Sequence, residues 1–284
     1  MDVVKNQAYD ESFLKSLLKG IGYILLYELV LMAAITIFVV FCILFGNEIV
    51  LGDSADANVR ILSEWADKHQ DLLVITSNIA AIFVFLGINR RNTQFKELLT
   101  KKITGKTLLL IVGVGVFLAV AVTYIRYLFI SFGVVAVNDS SVIQINSSNF
   151  LIRLLRSAII APVLEELVFR GTVFLKMKRG MSVAMAAVFS SILFGVAHFS
   201  GIFTAVYAVI NSLIIIYVIC RTASLTTGII LHSVYNFTCI ILLFFPASDV
   251  FAYYMIPLGC IAVAVLLMIF KRENSNANSS INLS

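Results

Sequence analysis

Long apolar runs alternate with short polar segments along this chain, and the alternation predicts a bundle of membrane-spanning helices. A spanning helix needs about 20 predominantly apolar residues. Eight segments are long and apolar enough, at approximately 21–45, 72–88, 108–134, 150–175, 181–199, 202–220, 225–245 and 250–270. The predicted fold class is therefore all-α, a polytopic membrane protein of about eight transmembrane helices.

Composition and charge favour the same class. The chain is 60% hydrophobic and 13% charged, whereas soluble domains carry about 25% charged residues. Its net charge of +5 does not indicate nucleic-acid binding, because the basic residues are scattered through short loops. Loops rich in Lys and Arg alternate with loops that have few, so the positive-inside rule places both termini in the cytoplasm. The expected partner is the lipid bilayer.

The chain divides into three regions by where its polar residues fall. Residues 1–149 form an N-terminal transmembrane region with three predicted spans, and residues 150–245 carry polar side chains inside the spans. Residues 246–284 contain the last span and a tail rich in Asn and Ser, which predicts disorder after Arg272. The four cysteines lie in apolar spans without a CxxC spacing and are interpreted as buried small apolar residues: Cys42, Cys220, Cys239 and Cys260.

The fourth apolar segment contains two adjacent glutamates and an arginine: Glu165, Glu166 and Arg170. A charged residue at mid-membrane costs about 2.5–3.5 kcal/mol and by default marks a functional site. Glu166 and Arg170 are four residues apart, so they share a helix face and can form an ion pair. Glu165 lies about 100° around the helix and remains chemically available. The alternative is a purely structural charge network that holds helices together.

Two further polar pairs lie in later spans, each at a spacing of four residues: Phe194 with His198, and His232 with Asn236. Each pair occupies one helix face. A lone histidine is often a satisfied core residue, and a His and Asn pair can simply bond a neighbouring helix. Taken together, the residues on three helices can converge on one polar cavity within the membrane. Such a cavity would supply a base, a water-orienting group and oxyanion donors, as amide hydrolysis requires.

Arg153 and Arg156 lie near the predicted outer end of the fourth span. Long basic side chains at such positions commonly extend their charged ends to the membrane interface. We therefore predict that both arginines snorkel to the outer interface, with substrate contact as the alternative.

Three motifs resemble those of a known protease family. Glu-Glu-x-x-x-Arg at 165–170, Phe-x-x-x-His at 194–198 and His-x-x-x-Asn at 232–236 resemble the motifs of the CPBP intramembrane proteases. This family is also called Abi or CAAX protease and includes the Rce1-type prenyl-protein endopeptidases. The resemblance covers about residues 150–240, and the eight predicted spans fit the family's architecture.

The resemblance implies a role for each motif residue. Glu165 would activate the hydrolytic water, and His198 would hold and polarise it. His232 and Asn236 would form the oxyanion site. The supporting residues would be Glu166, Arg170 and Phe194. The implied activity is endopeptidase cleavage of membrane-associated peptides or proteins, including prenylated CAAX-type substrates, in a bacterial plasma membrane.

The resemblance leaves the metal dependence open. Glu165, His198 and His232 could ligate zinc with an open fourth position. Against zinc, the chain has no HExxH motif, and Glu165 cannot readily be both ligand and free base. The family's Rce1-type members are viewed as glutamate-dependent and metal-free, so we favour hydrolysis without a cofactor.

The rival interpretations are a catalytically silent scaffold or bacteriocin-immunity protein, and a small transporter. The absence of an internal repeat counts against the transporter.

One feature of the predicted site is geometrically inconsistent with straight helices. At ~1.5 Å per residue, Glu165 lies ~15 Å from the cytoplasmic end and His232 ~10 Å. The same count places His198 at ~25 Å. A tilted fifth span, or a non-helical start after Gly180, would bring His198 level with the other two residues.

Overall fold

The computed structural model describes residues 10–46, 49–133, 150–198, 200–244 and 248–281, and gives Asp249 and residues 271–281 as backbone alone. Within these ranges the ordered elements are helices, here numbered in chain order. They are α1 (Phe13–Phe45), α2 (Ala55–Lys68), α3 (Gln70–Asn89), α4 (Thr93–Thr100), α5 (Gly105–Ser131), α6 (150–177), α7 (Val183–Ala197), α8 (Ile202–Thr222), α9 (Leu225–Leu242) and α10 (Asp249–Ile281).

Each of the eight predicted apolar segments contains a helix within its described residues, which confirms the all-α class. Six of the described helices are long and apolar enough to cross a membrane: α1, α3, α5, α8, α9 and part of α10. The other two differ for physical reasons, since α7 has only 15 residues and α6 changes its helix type along its length. This set of helices supports an integral, multi-pass membrane protein.

Two short helices, α2 and α4, were not predicted because neither contains a long apolar run. Each begins at a polar residue whose side chain accepts a hydrogen bond from the first turn, Ser54 for α2 and Asn92 for α4. Such side chains satisfy backbone N–H groups that have no partner within the helix. Trp65 of α2 packs against the end of α1, and Phe95 of α4 is buried in the main core.

Helix α6 alternates between α-helical and π-helical turns. Its π-helical segments are Arg156–Ile160 and Glu166–Phe174. Pro162 follows the first of them and has no N–H to donate to the preceding turn, which explains a local change in hydrogen bonding. In the second segment, Thr172 Oγ1 donates to Leu167 O at 2.9 Å. π-Helical turns occur frequently at functional sites.

The second π-helical segment of α6 is the centre of the bundle. All nine of its residues are buried, and it packs against α1, α3, α7 and α9. On the far side of α9, α5 separates α9 from α10 and packs against both. The apolar core thus surrounds α6 with helices from both halves of the chain, including the N-terminal region.

The approach of α8 to α7 is unusually close at Gly195. A Cβ atom placed there would lie 2.8 Å from the carbonyl oxygen of Ala205. Because a backbone atom cannot move aside as a side chain can, only glycine fits. This close packing lies three residues before His198.

Several expectations about peripheral residues are corrected. Arg156 does not snorkel, because its Nη1 lies 2.8 Å from Asp71 Oδ1 with both side chains only 14% exposed. Arg153 is also buried.

The backbone of α10 continues to Ile281, beyond Arg272, since the tail contains no Gly or Pro to end the helix. Two of the four cysteines are exposed on the bundle, Cys220 and Cys260. Residues 135–149, between the third and fourth predicted spans, lie outside the described residues.

Candidate active site

Three elements position the candidate catalytic side chains. Glu165 ends an α-helical turn of α6, and Glu166 begins the π-helical segment that follows. His198 caps the C-terminus of α7, and His232 lies near the middle of α9. The structure brings the side chains of these four residues together.

A closed network forms around Glu166. Its Oε1 atom accepts hydrogen bonds from Arg170 Nη1 and from His232 Nδ1, each at 2.9 Å. Glu166, Arg170 and His232 are 0%, 1% and 3% exposed. Such enclosed charges are stable only when they are paired, because an unpaired ion in a low-dielectric interior loses its solvation.

Phe194 completes this network on the side of α7. The Arg170 guanidinium lies 4.5 Å from the centre of the Phe194 ring, and a cation over an aromatic face is attracted by the ring's quadrupole. The Phe194 ring also lies 4.2 Å from the His198 ring, centroid to centroid. Phe194 therefore contacts both the buried cation and the candidate water-binding histidine.

Glu165 has a different environment. Its Oε2 atom lies 3.6 Å from Nε2 of His198 and 3.6 Å from Nε2 of His232. These separations are too long for direct hydrogen bonds, and this buried oxygen has no hydrogen-bond partner among the described residues. A water molecule placed to one side can lie within hydrogen-bond distance of the carboxylate and a histidine together. The geometry therefore suits a bound water.

The hydrogen bonds made by the two Nδ1 atoms determine what the Nε2 atoms can do. His198 Nδ1 lies 2.9 Å from the carbonyl oxygen of Phe194, and His232 Nδ1 lies 2.9 Å from the Glu166 carboxylate. Both partners only accept, so each Nδ1 carries the proton. Nε2 of each neutral imidazole is then an acceptor, and it becomes a donor only in the doubly protonated form.

Asn236 lies one turn beyond His232 on α9, and its side chain is occupied elsewhere. Its Nδ2 donates to the carbonyl oxygen of Ser157 at 2.9 Å, within the first π-helical segment of α6. It makes no hydrogen bond to the other candidate site residues. The amide group carries a second N–H, which the bond to Ser157 holds in a defined orientation.

A count along straight helices placed His198 at a different depth in the membrane from Glu165 and His232. The structure removes this difference. Residues 178–182 are not helical, and α7 begins only at Val183. Its 15 residues span ~22 Å at ~1.5 Å per residue, less than the ~30 Å hydrocarbon core. His198 at the end of this short helix therefore lies level with Glu165.

Two residues of α1 beside the site were missed by the sequence reasoning. The Tyr27 ring packs edge-on against Phe169, with centroids 6.1 Å apart. The exposed carboxylate of Glu28 lies within electrostatic range of His198. The signal was present in the sequence, because Glu28 is the one charged residue between Lys19 and Asn47.

The candidate zinc ligands are the side chains of Glu165, His198 and His232. No group of three His, Cys, Asp or Glu side chains in the described part of the chain is arranged to hold a metal ion. His198 and His232 each have one ring nitrogen directed at the same oxygen of Glu165, at 3.6 Å. No reaction step is assigned to a metal, and whether zinc takes part stays a question for the chelation experiment described below.

Comparison with known proteins agrees with the motifs. Residues 147–238 match the family model described as type II CAAX prenyl endopeptidase Rce1-like. The resemblance to this family is thereby confirmed. The matched segment contains all four candidate catalytic residues, and the family supports a CAAX-type protease as the general class. No curated protein and no solved structure matches the chain.

Proposed function

We propose that this protein is an intramembrane endopeptidase of the CAAX type, in which Glu165 activates a water molecule. The observation that carries the proposal is the position of Glu165 Oε2, which is buried without a hydrogen-bond partner and faces Nε2 of two histidines at 3.6 Å. A carboxylate held in this way can act as a general base. General bases typically contribute about 10²–10⁴-fold to a rate.

In the attack step, the water donates one hydrogen bond to Glu165 Oε2 and the other to Nε2 of neutral His198. A lone pair on the water oxygen then faces the substrate carbonyl carbon. As the new C–O bond forms, Glu165 takes the proton, and the carbonyl π electrons move to oxygen. The product of this step is a tetrahedral oxyanion.

The oxyanion is stabilised by donors from α9. Asn236 can supply the second N–H of the amide whose first N–H bonds Ser157. His232 can donate from Nε2 only as the doubly protonated imidazolium, because Nδ1 already donates to Glu166. Each donor aimed at an oxyanion in a dry site contributes about 3–4 kcal/mol. Collapse breaks the C–N bond, and Glu165 returns its proton to the leaving amine.

The substrate is a peptide that reaches the site from the membrane or its surface. His198 is 33% exposed, whereas His232 is 4% exposed at its side chain, so the site opens on the side of His198. Val196 and Ile202, which lie close to His198 in the sequence, are exposed apolar residues, and such residues suit a lipid-modified peptide. The name of the matched family model supports prenylated C-terminal sequences as the first substrates to test.

The proposal is tested with purified wild type, Glu165→Gln and His198→Ala, using farnesylated and unmodified peptides. We expect cleavage by the wild type and none by either variant, with folding checked by thermal unfolding in detergent. Each protein is also assayed with a zinc chelator and after zinc is returned. Activity that survives chelation supports the metal-free reaction.

Three outcomes would contradict the proposal. Cleavage by Glu165→Gln at the wild-type rate would remove the proposed base. Loss of wild-type activity on chelation, restored by zinc, would replace the mechanism with a zinc-dependent one. A folded wild type that cleaves no peptide, prenylated or not, would favour the scaffold.

A further inference from the structure

Glu28 is a lone charge on a helix face that is otherwise apolar. Helix α1 continues for 26 residues from Gly20 to its end at Phe45, and Glu28 is the one charged residue among them. The side chains that share its exposed stripe are Leu25, Leu29 and Met32, which are 65%, 62% and 66% exposed. An ionisable residue in such a setting is a functional-site candidate by default.

Glu28 also lies beside the open edge of the candidate active site. Its neighbour Tyr27 packs against Phe169, with ring centroids 6.1 Å apart, and Phe169 packs against Phe194 at 4.9 Å. Phe194 in turn contacts His198. This chain of rings joins α1 to the exposed histidine, and Glu28 is within electrostatic range of that same histidine.

The described part of the protein provides no cation that pairs with Glu28. His198 cannot serve, because its Nδ1 bonds Phe194 O and its Nε2 faces Glu165. Arg170 is enclosed with Glu166, and Lys19 near the start of α1 bonds Glu11. An exposed carboxylate without a paired cation is free to bind a positively charged group, and a cation is the partner that would hold it in its ionised form. A ligand can supply that positive charge.

We propose that Glu28 is a specificity-determining residue that binds a Lys or Arg side chain of the peptide substrate. This inference rests on the proposed function, since it assigns a substrate class to the same site. A peptide entering past His198 passes the α1 face that carries Glu28, so a basic side chain close to the scissile bond can reach the carboxylate. Hydrogen bonds between charged groups are about twice as strong as neutral ones.

The test uses farnesylated peptides in which one Lys is moved through the residues around the scissile bond, each compared with a peptide that has Gln at that place. We expect the wild type to prefer Lys over Gln at one place by about tenfold to a hundredfold in kcat/KM, as a charge-assisted hydrogen bond predicts. In Glu28→Gln this ratio falls to about one. In Glu28→Lys the preference changes to a peptide with Glu at that place.

Two matched variants control for general effects. Glu64→Gln makes the same substitution at an exposed position of α2 and is expected to keep the wild-type ratio. Met32→Glu in the Glu28→Gln background moves the carboxylate one turn along the same exposed face, and the ratio is expected to stay lost. A preference that persists in Glu28→Gln, or a wild type with no preference at any place, would overturn the inference.

Binding measurements separate this inference from the proposed activity. The same fluorescent peptides are titrated against Glu165→Gln protein, with and without Glu28→Gln, in lipid nanodiscs. If the wild type cleaves nothing but binding retains a Lys preference that depends on Glu28, the protease proposal fails and the cation site stands. If cleavage proceeds and neither assay shows the preference, the cation site fails alone.

Discussion

The two sides of the candidate active site differ in how their charges are satisfied. On the closed side, Glu166, Arg170 and Phe194 are enclosed by the bundle, and Glu166 Oε1 accepts two hydrogen bonds. On the open side, Glu165 Oε2 has no hydrogen-bond partner among the described residues, and His198 is 33% exposed. His232 belongs to both sides, because its two ring nitrogens face the two glutamates.

This difference assigns separate tasks to two adjacent residues of the same type. The Glu166 carboxylate is neutralised by the Arg170 guanidinium and is fully buried, so a substrate cannot reach it. A carboxylate that has lost its hydration and has no hydrogen-bond partner is reactive. Burying its charged form is also unfavourable for the stability of the fold. The closed side should therefore determine folding and the open side should determine turnover.

The largest expected effect separates the two sides by activity. Glu165→Gln and His198→Gln should lower kcat/KM by about 10²–10⁴-fold with little change in melting temperature, because neither residue is needed to neutralise a buried ion. His232→Gln should lower both activity and melting temperature, since it removes the imidazole that bonds Glu166 and faces Glu165. The measurements are peptide cleavage and thermal unfolding in the same detergent. A stable and active His232→Gln protein would contradict the shared role of His232.

The next effect concerns the stability of the closed side. Glu166→Gln leaves Arg170 buried without its counter-ion, which should destabilise the protein by about 3–5 kcal/mol. Replacing both, as Glu166→Gln with Arg170→Met, removes the uncompensated charge and should recover part of that loss. Unfolding in increasing denaturant measures both changes. Equal stability of the single and double variants would show that the ion pair is not what holds this side together.

A smaller effect is expected where α3 joins the first π-helical segment. Asp71→Asn should destabilise the protein by roughly 1–3 kcal/mol, between the values for exposed and buried ion pairs, because Arg156 loses its 2.8 Å contact. The exchanged pair, Asp71→Arg with Arg156→Asp, should restore stability if charge is what matters. Since Arg156 precedes Ser157, the carbonyl partner of Asn236, kcat should fall more than KM changes in the single variant.

Packing next to His198 provides a comparable test on the open side. Gly195→Ala places a Cβ 2.8 Å from the backbone oxygen of Ala205, so α7 and α8 must separate. Overpacking of this kind typically costs about 1–3 kcal/mol. We also expect a loss of activity, because the displaced helix end carries His198. Ala197→Gly is the control, as it changes an exposed neighbouring position without adding a contact.

The smallest effect concerns the N-terminal anchor of α1, the helix that borders the open side. A hydrogen bond from Lys19 lowers the pKa of Glu11 below its usual value, and Lys19 Nζ lies 2.6 Å from Glu11 Oε1. A lowered folded-state pKa means that this pair stabilises the protein at neutral pH. The stabilisation is lost as the pH falls through the ordinary range of a glutamate and below it.

Melting temperatures of wild type and Lys19→Met, measured from neutral to acidic pH, test this anchor. The difference between the two proteins should shrink as the pH falls, because the protonated Glu11 no longer benefits from the ammonium group. A difference that stays constant with pH would assign the effect of Lys19 to packing alone. Lys96→Met, which removes a lysine from an exposed position of α4, is the matched control.

The helices of the eight apolar segments and the pairing of Glu166 with Arg170 could be predicted from the sequence because both depend on local spacing. Apolar length determines what can cross a membrane, and a separation of four residues determines which side chains share a helix face. The short helices α2 and α4 and the continued helix at the C-terminus were missed, because hydropathy alone does not detect capped amphipathic turns or the extension of a span. The snorkelling of Arg156 was wrongly predicted because its partner, Asp71, belongs to a helix far away in sequence.

The sequence by itself determined that this is a polytopic helical membrane protein with an Rce1-like region, and which residues within the spans are chemically unusual. Only the tertiary structure decided how those residues share one site: that His232 contacts both glutamates, that Asn236 bonds Ser157, and that Glu28 of the first helix lies near His198. The physical reason is that helix periodicity specifies neighbours within a helix. The contacts between helices depend on how far each helix extends, where α7 begins and how closely Gly195 allows its neighbour to approach.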